Sequence, residues 1–246
     1  MKKMSRAELD TAESKDSALG KGPKRPRDAA TLLLLDRTSP DEISVLMGRR
    51  HMSHAFMPGK FVFPGGRTDP TDSRVKTSDE LHPLVEHRLC TNRTSKARAR
   101  AIALSAIRET YEECGALIGR RADYQSGISG WQGFCNHGVA PTLSQLRLVA
   151  RAITPPGRVR RYDTRFFAVW REDAVALTLP DGGPTNELEE QVWMPLDEAR
   201  TLDIPRITSW ILGDLIERLK DDPQLSPDSN IPFYQMRYNQ FLRTMV

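Results

Sequence analysis

Three glutamates fall within one turn of a predicted helix at residues 108–115, which have the sequence Arg-Glu-Thr-Tyr-Glu-Glu-Cys-Gly. On a helix, Glu109, Glu112 and Glu113 stand at i, i+3 and i+4, so their carboxylates share one face. Like charges at this spacing destabilise a helix by roughly 0.2–0.5 kcal/mol per pair. A sequence that keeps all three is most simply explained by a bound cation, and an all-oxygen ligand set suits Mg²⁺ or Mn²⁺.

The alternative is a solvated helix face on which Arg108 and Glu112 form an ordinary i,i+4 ion pair. The flanking sequence favours the cation. Residues 61–66, Phe-Val-Phe-Pro-Gly-Gly, alternate between apolar positions and then stop at Pro-Gly-Gly, which predicts a strand entering a tight loop. Gly115 follows the carboxylates and predicts the end of the helix or a kink.

A strand, a glycine loop and an acidic helix in this order resemble the Nudix hydrolases. The Nudix box is Gly, five residues, Glu, seven residues, then Arg-Glu-U-x-Glu-Glu-x-Gly-U, where U is apolar. Gly66 matches the first glycine, and residues 108–115 match the second half. Two departures stand out: Asp72 replaces the first glutamate, and 35 residues rather than seven separate Asp72 from Arg108.

The interrupted box and the sequence of residues 56–66 resemble those of the branch that contains the peroxisomal coenzyme A diphosphatases and their bacterial relatives. The resemblance implies a Nudix domain over residues 28–222 with an insertion in the box at 73–95. We expect a disordered polar and basic tail over residues 1–27. Residues 223–246 are expected to form a C-terminal extension packed on the domain.

The pattern of apolar residues predicts an α/β protein. Strands are expected at 29–35, 43–48, 60–63, 146–154, 164–170 and 191–194, and helices at 95–118, 196–201 and 205–220. Two long helices on either side of a mixed sheet make an α/β/α sandwich.

Two segments are predicted to be excursions from this pattern. The first, 73–94, is a surface segment with one short amphipathic helix that carries Leu81, Leu84, Val85 and Leu89. The second, 119–145, contains Trp131 and Phe134, which either cover an edge of the core or bind a base.

Diphosphate hydrolysis requires water delivered in line to phosphorus and neutralisation of charge on the phosphate oxygens, which metal ions supply. The resemblance implies Glu112 and Glu113 as principal ligands, with Glu109 as a third that polarises the water. Gly66 lets a backbone carbonyl approach the same metal. Arg108 is expected to orient the carboxylates, or else to be a helix-surface charge. The implied cofactor is Mg²⁺ or Mn²⁺.

The coenzyme A signature of related enzymes includes Gly, three residues, then Phe-Pro-Gly-Gly, which Gly59 and residues 63–66 reproduce. The signature's arginine is replaced by Ala55. Coenzyme A or acyl-coenzyme A is therefore the leading substrate, and ADP-ribose, NADH-type or other nucleotide derivatives come second. A 3′-phosphate would bind Arg or Lys, although each candidate is also explained as an ordinary surface charge. The candidates are Arg49, Arg50, Lys60, Arg160 and Arg161.

A loop acid could assist the attacking water, and Glu187, Glu189 and Glu190 are equal candidates from the sequence. Trp193, just beyond them, is expected in the core. A different class of function stays open, namely a catalytically silent Nudix-fold domain that binds a nucleotide or a protein. The retained glutamates oppose this alternative, whereas Asp72 and the interrupted box favour it.

The net charge of +4 gives little support for nucleic acid binding, because residues 1–28 hold eight Lys or Arg and five Asp or Glu. Cys90, Cys114 and Cys135 form no Cys-x-x-Cys pair, which favours a reducing compartment, and Cys114 is expected to be a packing residue. No apolar run is long enough for a membrane span. We expect a cytoplasmic protein that acts on a small-molecule diphosphate, with neither nucleic acid nor membrane as partner. A homodimer is left open.

Overall fold

The computed structural model describes residues 4–12, 22, 24–39, 42–52, 57–91 and 94–246. Ala55, where the sequence departs from the coenzyme A signature, lies outside these residues. So do residues 1–3, 13–21 and 23 of the expected tail and residues 92–93 of the expected insertion.

The described residues form thirteen strands and seven helices. The strands are β1 Met4–Ser5, β2 Arg27–Ser39, β3 Glu42–Arg50, β4 Phe61–Val62, β5 Gly65–Arg67, β6 Ala116–Arg121, β7 Val139–Pro141, β8 Arg147–Ile153, β9 Tyr162–Trp170, β10 Val175–Thr178, β11 Leu188–Pro195, β12 Pro232–Arg237 and β13 Gln240–Met245. The helices are α1 Arg6–Ala12, α2 Pro83–Leu89, α3 Lys96–Cys114, α4 Gln132–Asn136, α5 Arg171–Ala174, α6 Leu196–Ala199 and α7 Arg206–Asp221, with 3₁₀ turns at Pro70–Arg74 and Ser129–Trp131.

Ten strands form one mixed sheet with the order β1-β13-β12-β8-β9-β2-β3-β11, in which β4 also pairs with β3 and β5 with β2. Strand β2 pairs in parallel with β9 and antiparallel with β3. Its run Leu32-Leu33-Leu34-Leu35 is buried throughout. Leu32 and Leu34 pack on the same side as α3, while Leu33 and Leu35 pack on the side of α7. A continuous apolar run is what a strand covered on both faces requires.

Helices α3 and α7 therefore cover opposite faces of the sheet, and the expected α/β/α sandwich is confirmed. Ser95 caps the start of α3, since its Oγ accepts a hydrogen bond from the Arg98 N–H at 3.2 Å. Gly115, with φ of 71°, ends α3 in the left-handed region. The prediction that this helix continues to residue 118 was wrong, because residues after Gly115 form β6 in a separate sheet with β7 and β10.

The expectation of disorder over residues 1–27 is wrong for Met4–Ala12. Met4 pairs with Phe241 across β1 and β13, and Leu9 of α1 is fully buried. Asp10 accepts a hydrogen bond from the Arg158 guanidinium at 2.6 Å. Polar composition suggested disorder, but one apolar side chain and one ion pair anchor this segment to the sheet.

The two predicted excursions contribute to the core. Val85 and Leu89 of α2 are buried against α3, whereas Leu84 is exposed. Trp131 and Phe134 are completely buried, so they cover an edge of the core and do not bind a base. The described insertion residues are thus partly internal rather than a surface excursion.

Trp193 was expected in the core but is 38% exposed. It lies on β11, which is the edge strand of the sheet, and the Arg171 guanidinium stands 5.4 Å from its ring centroid. Cys114, by contrast, is buried as expected. Among the described helices none is both long and apolar enough to cross a bilayer.

Candidate active site

Arg108 is the centre of a buried charge network on α3. Its Nη1 donates hydrogen bonds to Glu109 Oε1 and Glu112 Oε2, each at 2.8 Å. Its Nε donates to Asp72 Oδ2 at 3.3 Å, and its Nη2 donates to the Arg67 carbonyl at 3.3 Å. Burial alone would lower the pKa of Arg108, but the surrounding carboxylates outweigh it and raise that pKa. Arg108 therefore stays charged and is hydrogen-bonded to these carboxylates.

Asp72 holds the far side of this arginine. Its side chain is only 1% exposed, and its Oδ1 accepts a hydrogen bond from the Trp131 indole N–H at 2.8 Å. Burial raises the pKa of Asp72, and the charge of Arg108 opposes that rise. The residue that departs from the Nudix box is thus built into the network and fixes the Arg108 guanidinium between α3 and the 3₁₀ turn Pro70–Arg74.

Gly65 and Gly66, which were predicted to lie in a tight loop, instead begin strand β5 and lie directly against two of the glutamates. Glu113 Oε2 accepts a hydrogen bond from the Gly65 N–H at 2.9 Å. A Cβ placed on Gly66 would lie 2.3 to 2.7 Å from the carboxylate atoms of Glu109, so only glycine leaves that space open. Gly65 and Gly66 therefore contact the acidic helix α3 directly.

Burial is the main reason that the pKa values of these carboxylates are raised. It raises the pKa of Glu113 to about 8, against the opposing charge of Arg50 and the Gly65 hydrogen bond. It raises the pKa of Glu109 to about 7, and the negative charges of Glu112 and Glu187 add to the effect. Buried carboxylates with raised pKa values repel one another when they are ionised. A bound cation would offset that repulsion.

Glu109, Glu113 and Glu187 line one cleft of about 430 Å³. The basic residues Arg50 and Arg160 line the same cleft. We call this space the acid cleft, and its remaining lining residues are Ala29, Thr31, Gly65, Gly66, Arg67, Tyr162 and Thr164. Three carboxylates and three guanidinium groups thus surround one space large enough for a diphosphate group.

The structure distinguishes among the three candidate loop acids. Only Glu187 lines the acid cleft. Glu189 Oε1 lies 3.0 Å from His51 Nε2, and Glu190 Oε2 accepts a hydrogen bond from Arg49 at 3.0 Å. Glu187 lies just before β11, and the pairing of β11 with β3 shifts register between Leu188 and Glu190. Regular alternation would have placed Glu187 and Glu189 on one face, so sequence alone could not establish which residue turns inward.

The five candidate phosphate-binding residues also lie in different surroundings. Arg50 and Arg160 line the acid cleft, whereas Arg49 pairs with Glu190, and Lys60 Nζ lies 2.5 Å from Asp203 Oδ1. Arg161 and Arg160 belong to a neighbouring cationic cleft of about 480 Å³, which is lined by Lys24, Arg25, Pro26, Arg27, Val159, Arg160, Arg161 and Tyr162.

Sequence analysis missed several of these basic residues. Arg67 follows the Pro-Gly-Gly loop directly, and its position beside Gly66 was the available signal. The run Lys24-Arg25-Pro26-Arg27 was treated as part of a disordered tail. The Arg27 N–H donates to the Arg161 carbonyl at 2.9 Å, and Lys24 Nζ donates to the Val159 carbonyl at 2.8 Å, so backbone pairing positions this run.

The expected convergence of Glu109, Glu112 and Glu113 on one metal is not observed. In the described part of the chain no group of three or more His, Cys, Asp or Glu side chains is arranged to hold a metal ion. Glu112 is the outlier: it pairs with Arg108 and does not line the acid cleft. The donor chemistry nevertheless fits a hard divalent cation, because the oxygen donors are buried, mutually repulsive and next to a glycine whose missing Cβ leaves room for the Glu109 carboxylate.

No protein-family model matches the chain. The protein named "Putative nudix hydrolase 7" of Caenorhabditis elegans is 28% identical over 196 residues, which cover 72% of this chain. The chain spans about half of that relative, 54% of its length. The crystal structure of a NUDIX hydrolase from Alicyclobacillus acidocaldarius is 28% identical with a TM-score of 0.61, over 79% of this chain and 92% of that one.

The α/β/α sandwich and the acidic helix that contacts Gly65 and Gly66 are therefore found in a chain that is similar to Nudix hydrolases both in sequence and in fold. The resemblance noted in the sequence is thereby confirmed at the level of the superfamily.

Proposed function

We propose that the protein hydrolyses a diphosphate linkage in a nucleoside diphosphate derivative, with Mg²⁺ or Mn²⁺ as cofactor. The observation that carries this proposal is the acid cleft, which Glu109, Glu113 and Glu187 line together with Gly65 and Gly66. A divalent cation bound there would neutralise phosphate charge and lower the pKa of water.

Glu109, Glu112, Glu113 and the Gly66 carbonyl oxygen would hold this cation. Glu112 is the member that the structure places on Arg108 rather than in the cleft. Arg108 orients Glu109 through the hydrogen bond at 2.8 Å, and that contact keeps the carboxylate against Gly66.

The remaining residues of the cleft bind substrate and accept a proton. Arg50, Arg67 and Arg160 surround the space with donors that suit phosphate oxygens. Glu187 is the residue to which we assign acceptance of a proton from the attacking water, because it lines the cleft from the segment before β11 and not from α3. The reaction needs no covalent intermediate, since water attacks phosphorus and the second phosphate leaves.

Coenzyme A or acyl-coenzyme A is the substrate we favour, with 3′,5′-ADP and 4′-phosphopantetheine or its acyl derivative as products. The cationic cleft supports this choice. Five basic side chains line it without a carboxylate among them, and it meets the acid cleft at Arg160 and Tyr162. A phosphomonoester such as the 3′-phosphate of coenzyme A suits that lining.

The discriminating experiment is incubation with coenzyme A, dephospho-coenzyme A, ADP-ribose and NADH, with Mg²⁺ or with chelator, followed by product mass. We expect 3′,5′-ADP and 4′-phosphopantetheine from coenzyme A only when metal is present, and a lower kcat/KM for dephospho-coenzyme A. Equal kcat/KM for the two would remove the proposed phosphate contact. Faster cleavage of ADP-ribose would favour the second substrate class, and no product from any compound would favour a catalytically silent binding domain.

A small-molecule diphosphate partner and a cytoplasmic location complete the proposal. Cys90, Cys114 and Cys135 are all free thiols, which supports a reducing compartment. The charge distribution supports a substrate of nucleotide size rather than a nucleic acid, because the basic residues gather in one cleft beside the carboxylates.

A further inference from the structure

The loop of residues 154–161, which connects β8 to β9, borders both clefts. Arg160 lines the acid cleft and the cationic cleft, and Arg161 lines the cationic cleft. Arg160 is exposed, so the position of its guanidinium depends on where the backbone of the loop lies. The contacts that hold this loop therefore decide whether Arg160 faces a phosphate group in the acid cleft.

Helix α1 holds the loop through two contacts. The Arg158 side chain is only 2% exposed, and its Nη1 donates a hydrogen bond to Asp10 Oδ1 at 2.6 Å. The Arg6 guanidinium lies against Gly157, where a Cβ would stand 2.4 Å from Arg6 Nη2. Gly157 has a φ of 83°, in the left-handed region that favours glycine. The loop is thus tied to α1 by one buried ion pair and one close backbone approach.

Helix α1 is itself fixed to the sheet. Leu9 is fully buried in the part of the core on the α7 side, and Met4 pairs with Phe241 of β13. Glu109 and Glu113 belong to α3, which covers the opposite face of the sheet. The loop and the glutamates therefore receive support from different elements, so loss of the loop contact should affect substrate binding and leave the chemical step unchanged.

We propose that Asp10 and Arg158 are positioning residues, whose ion pair holds the 154–161 loop so that Arg160 binds a phosphate group of the substrate. The inference rests on the proposed function, because it concerns the diphosphate of the same substrate. Removal of one partner from a buried ion pair is strongly unfavourable, so loss of Asp10 should turn Arg158 toward solvent. Arg160 follows two residues later and would be displaced with it.

The test is calorimetric binding of adenosine 5′-(α,β-methylene)diphosphate in Mg²⁺, because the P–C–P bridge of this analogue resists hydrolysis. For Asp10→Ala we expect Kd to rise about threefold to tenfold, within the range of couplings between contacting residues. Asp10→Asn keeps an oxygen acceptor for Arg158, so its Kd should lie between those of the wild type and Asp10→Ala. For whichever diphosphate compound is hydrolysed, KM should rise in Asp10→Ala while kcat stays at the wild-type value.

A double-mutant cycle shows whether Asp10 acts through Arg160. Arg160→Ala should itself raise Kd about tenfold or more, because it removes a charge-assisted hydrogen bond to phosphate. Asp10→Ala should then add little in the Arg160→Ala background, whereas an effect that bypasses Arg160 would add in full. Asp123→Ala is the same change at an exposed position and should leave Kd unchanged in both backgrounds.

A wild-type Kd in Asp10→Ala would overturn the inference even if Tm falls, because the ion pair would then serve stability alone. Additive effects of Asp10→Ala and Arg160→Ala would overturn it as well, and so would a wild type that does not bind the analogue. If the analogue binds as expected while no diphosphate compound is hydrolysed in Mg²⁺, the positioning role stands and the proposed function fails. Hydrolysis with an unchanged KM in Asp10→Ala would leave the proposed function and reject the positioning role.

Discussion

Arg108 Nη1 lies 2.8 Å from Glu112 Oε2, so the acidic helix supplies a cation to one of its own glutamates. The i,i+4 ion pair that the sequence offered as the alternative therefore exists, and it takes Glu112 away from the acid cleft. Glu109 and Glu113 remain in the cleft with Glu187, and their pKa values are raised mainly by burial.

Substitution of Gly66 tests its contact with Glu109 of the acidic helix α3. In Gly66→Ala the new Cβ meets the Glu109 carboxylate, so one of the two must shift. The carboxylate moves, because it is the flexible end of a side chain. We expect kcat to fall about a hundredfold, since a displacement of about 1 Å costs that much. Unfolding free energy should change by less than about 1 kcal/mol.

The matched control for this substitution is Gly127→Ala, whose Cβ enters open space. Its kcat should stay near the wild-type value. A Gly66→Ala variant as active as Gly127→Ala would separate Glu109 from the reaction.

Removal of Asp72 tests the support of Arg108. Asp72→Ala leaves the Trp131 indole N–H and Arg108 Nε without their buried acceptor. We expect unfolding in urea to show a loss of about 1–3 kcal/mol, and kcat to fall less than in Glu113→Gln. Asp123→Ala, at an exposed position, should stay within about 0.5 kcal/mol of wild type. Equal stability of the two variants would contradict the buried network.

Turnover should distinguish Glu187 from the other two candidate loop acids, Glu189 and Glu190. Glu187→Gln removes a carboxylate that lines the acid cleft, and we expect kcat to fall about a hundredfold or more. Glu189→Gln and Glu190→Gln are matched controls, because these side chains pair with His51 and Arg49. Initial rates decide the assignment, and a larger loss in either control would transfer the role away from Glu187.

The pH dependence of stability follows from Glu109 and Glu113. Their folded pKa values are raised from the ordinary glutamate value of 4.5 to about 7 and about 8, so the folded state binds protons more tightly than the unfolded state. Their contribution to stability is full below about pH 4.5 and is lost as pH rises through 7 and 8. Tm in chelator should therefore decline from pH 5 to pH 9, and Glu113→Gln should decline less. A rising Tm over this range would contradict the buried, uncompensated carboxylates.

Local sequence predicted the parts of the site that depend on short separations. Glu109, Glu112 and Glu113 share a helix, as periodicity predicted. Gly65 and Gly66 were predicted to form a tight loop but begin strand β5, because they pair with β2. Sequence could not predict the partner of each carboxylate. Asp72 lies 36 residues from Arg108, and Trp131 lies 59 residues from Asp72, so the position of the guanidinium depends on tertiary packing.

The same reason explains the larger errors in the fold. Residues 4–12 have a polar composition, but Leu9 is buried through contacts that form only when β13 joins the sheet. Residues 116–121 are apolar enough to continue α3, yet Gly115 ends the helix and β10 pairs with them as a strand. Both outcomes depend on residues more than fifty positions away, which a local window does not contain.

The most direct test of the account is thermal unfolding of wild type and Glu113→Gln in chelator and in excess Mg²⁺. In chelator at pH 9, Glu113→Gln should be at least as stable as wild type, because it removes a buried charge yet retains an acceptor for the Gly65 N–H. Mg²⁺ at a hundred times Kd should stabilise wild type by about 2.7 kcal/mol and the variant far less. A variant that is less stable than wild type in chelator and gains as much from Mg²⁺ would contradict a cation site at Glu113.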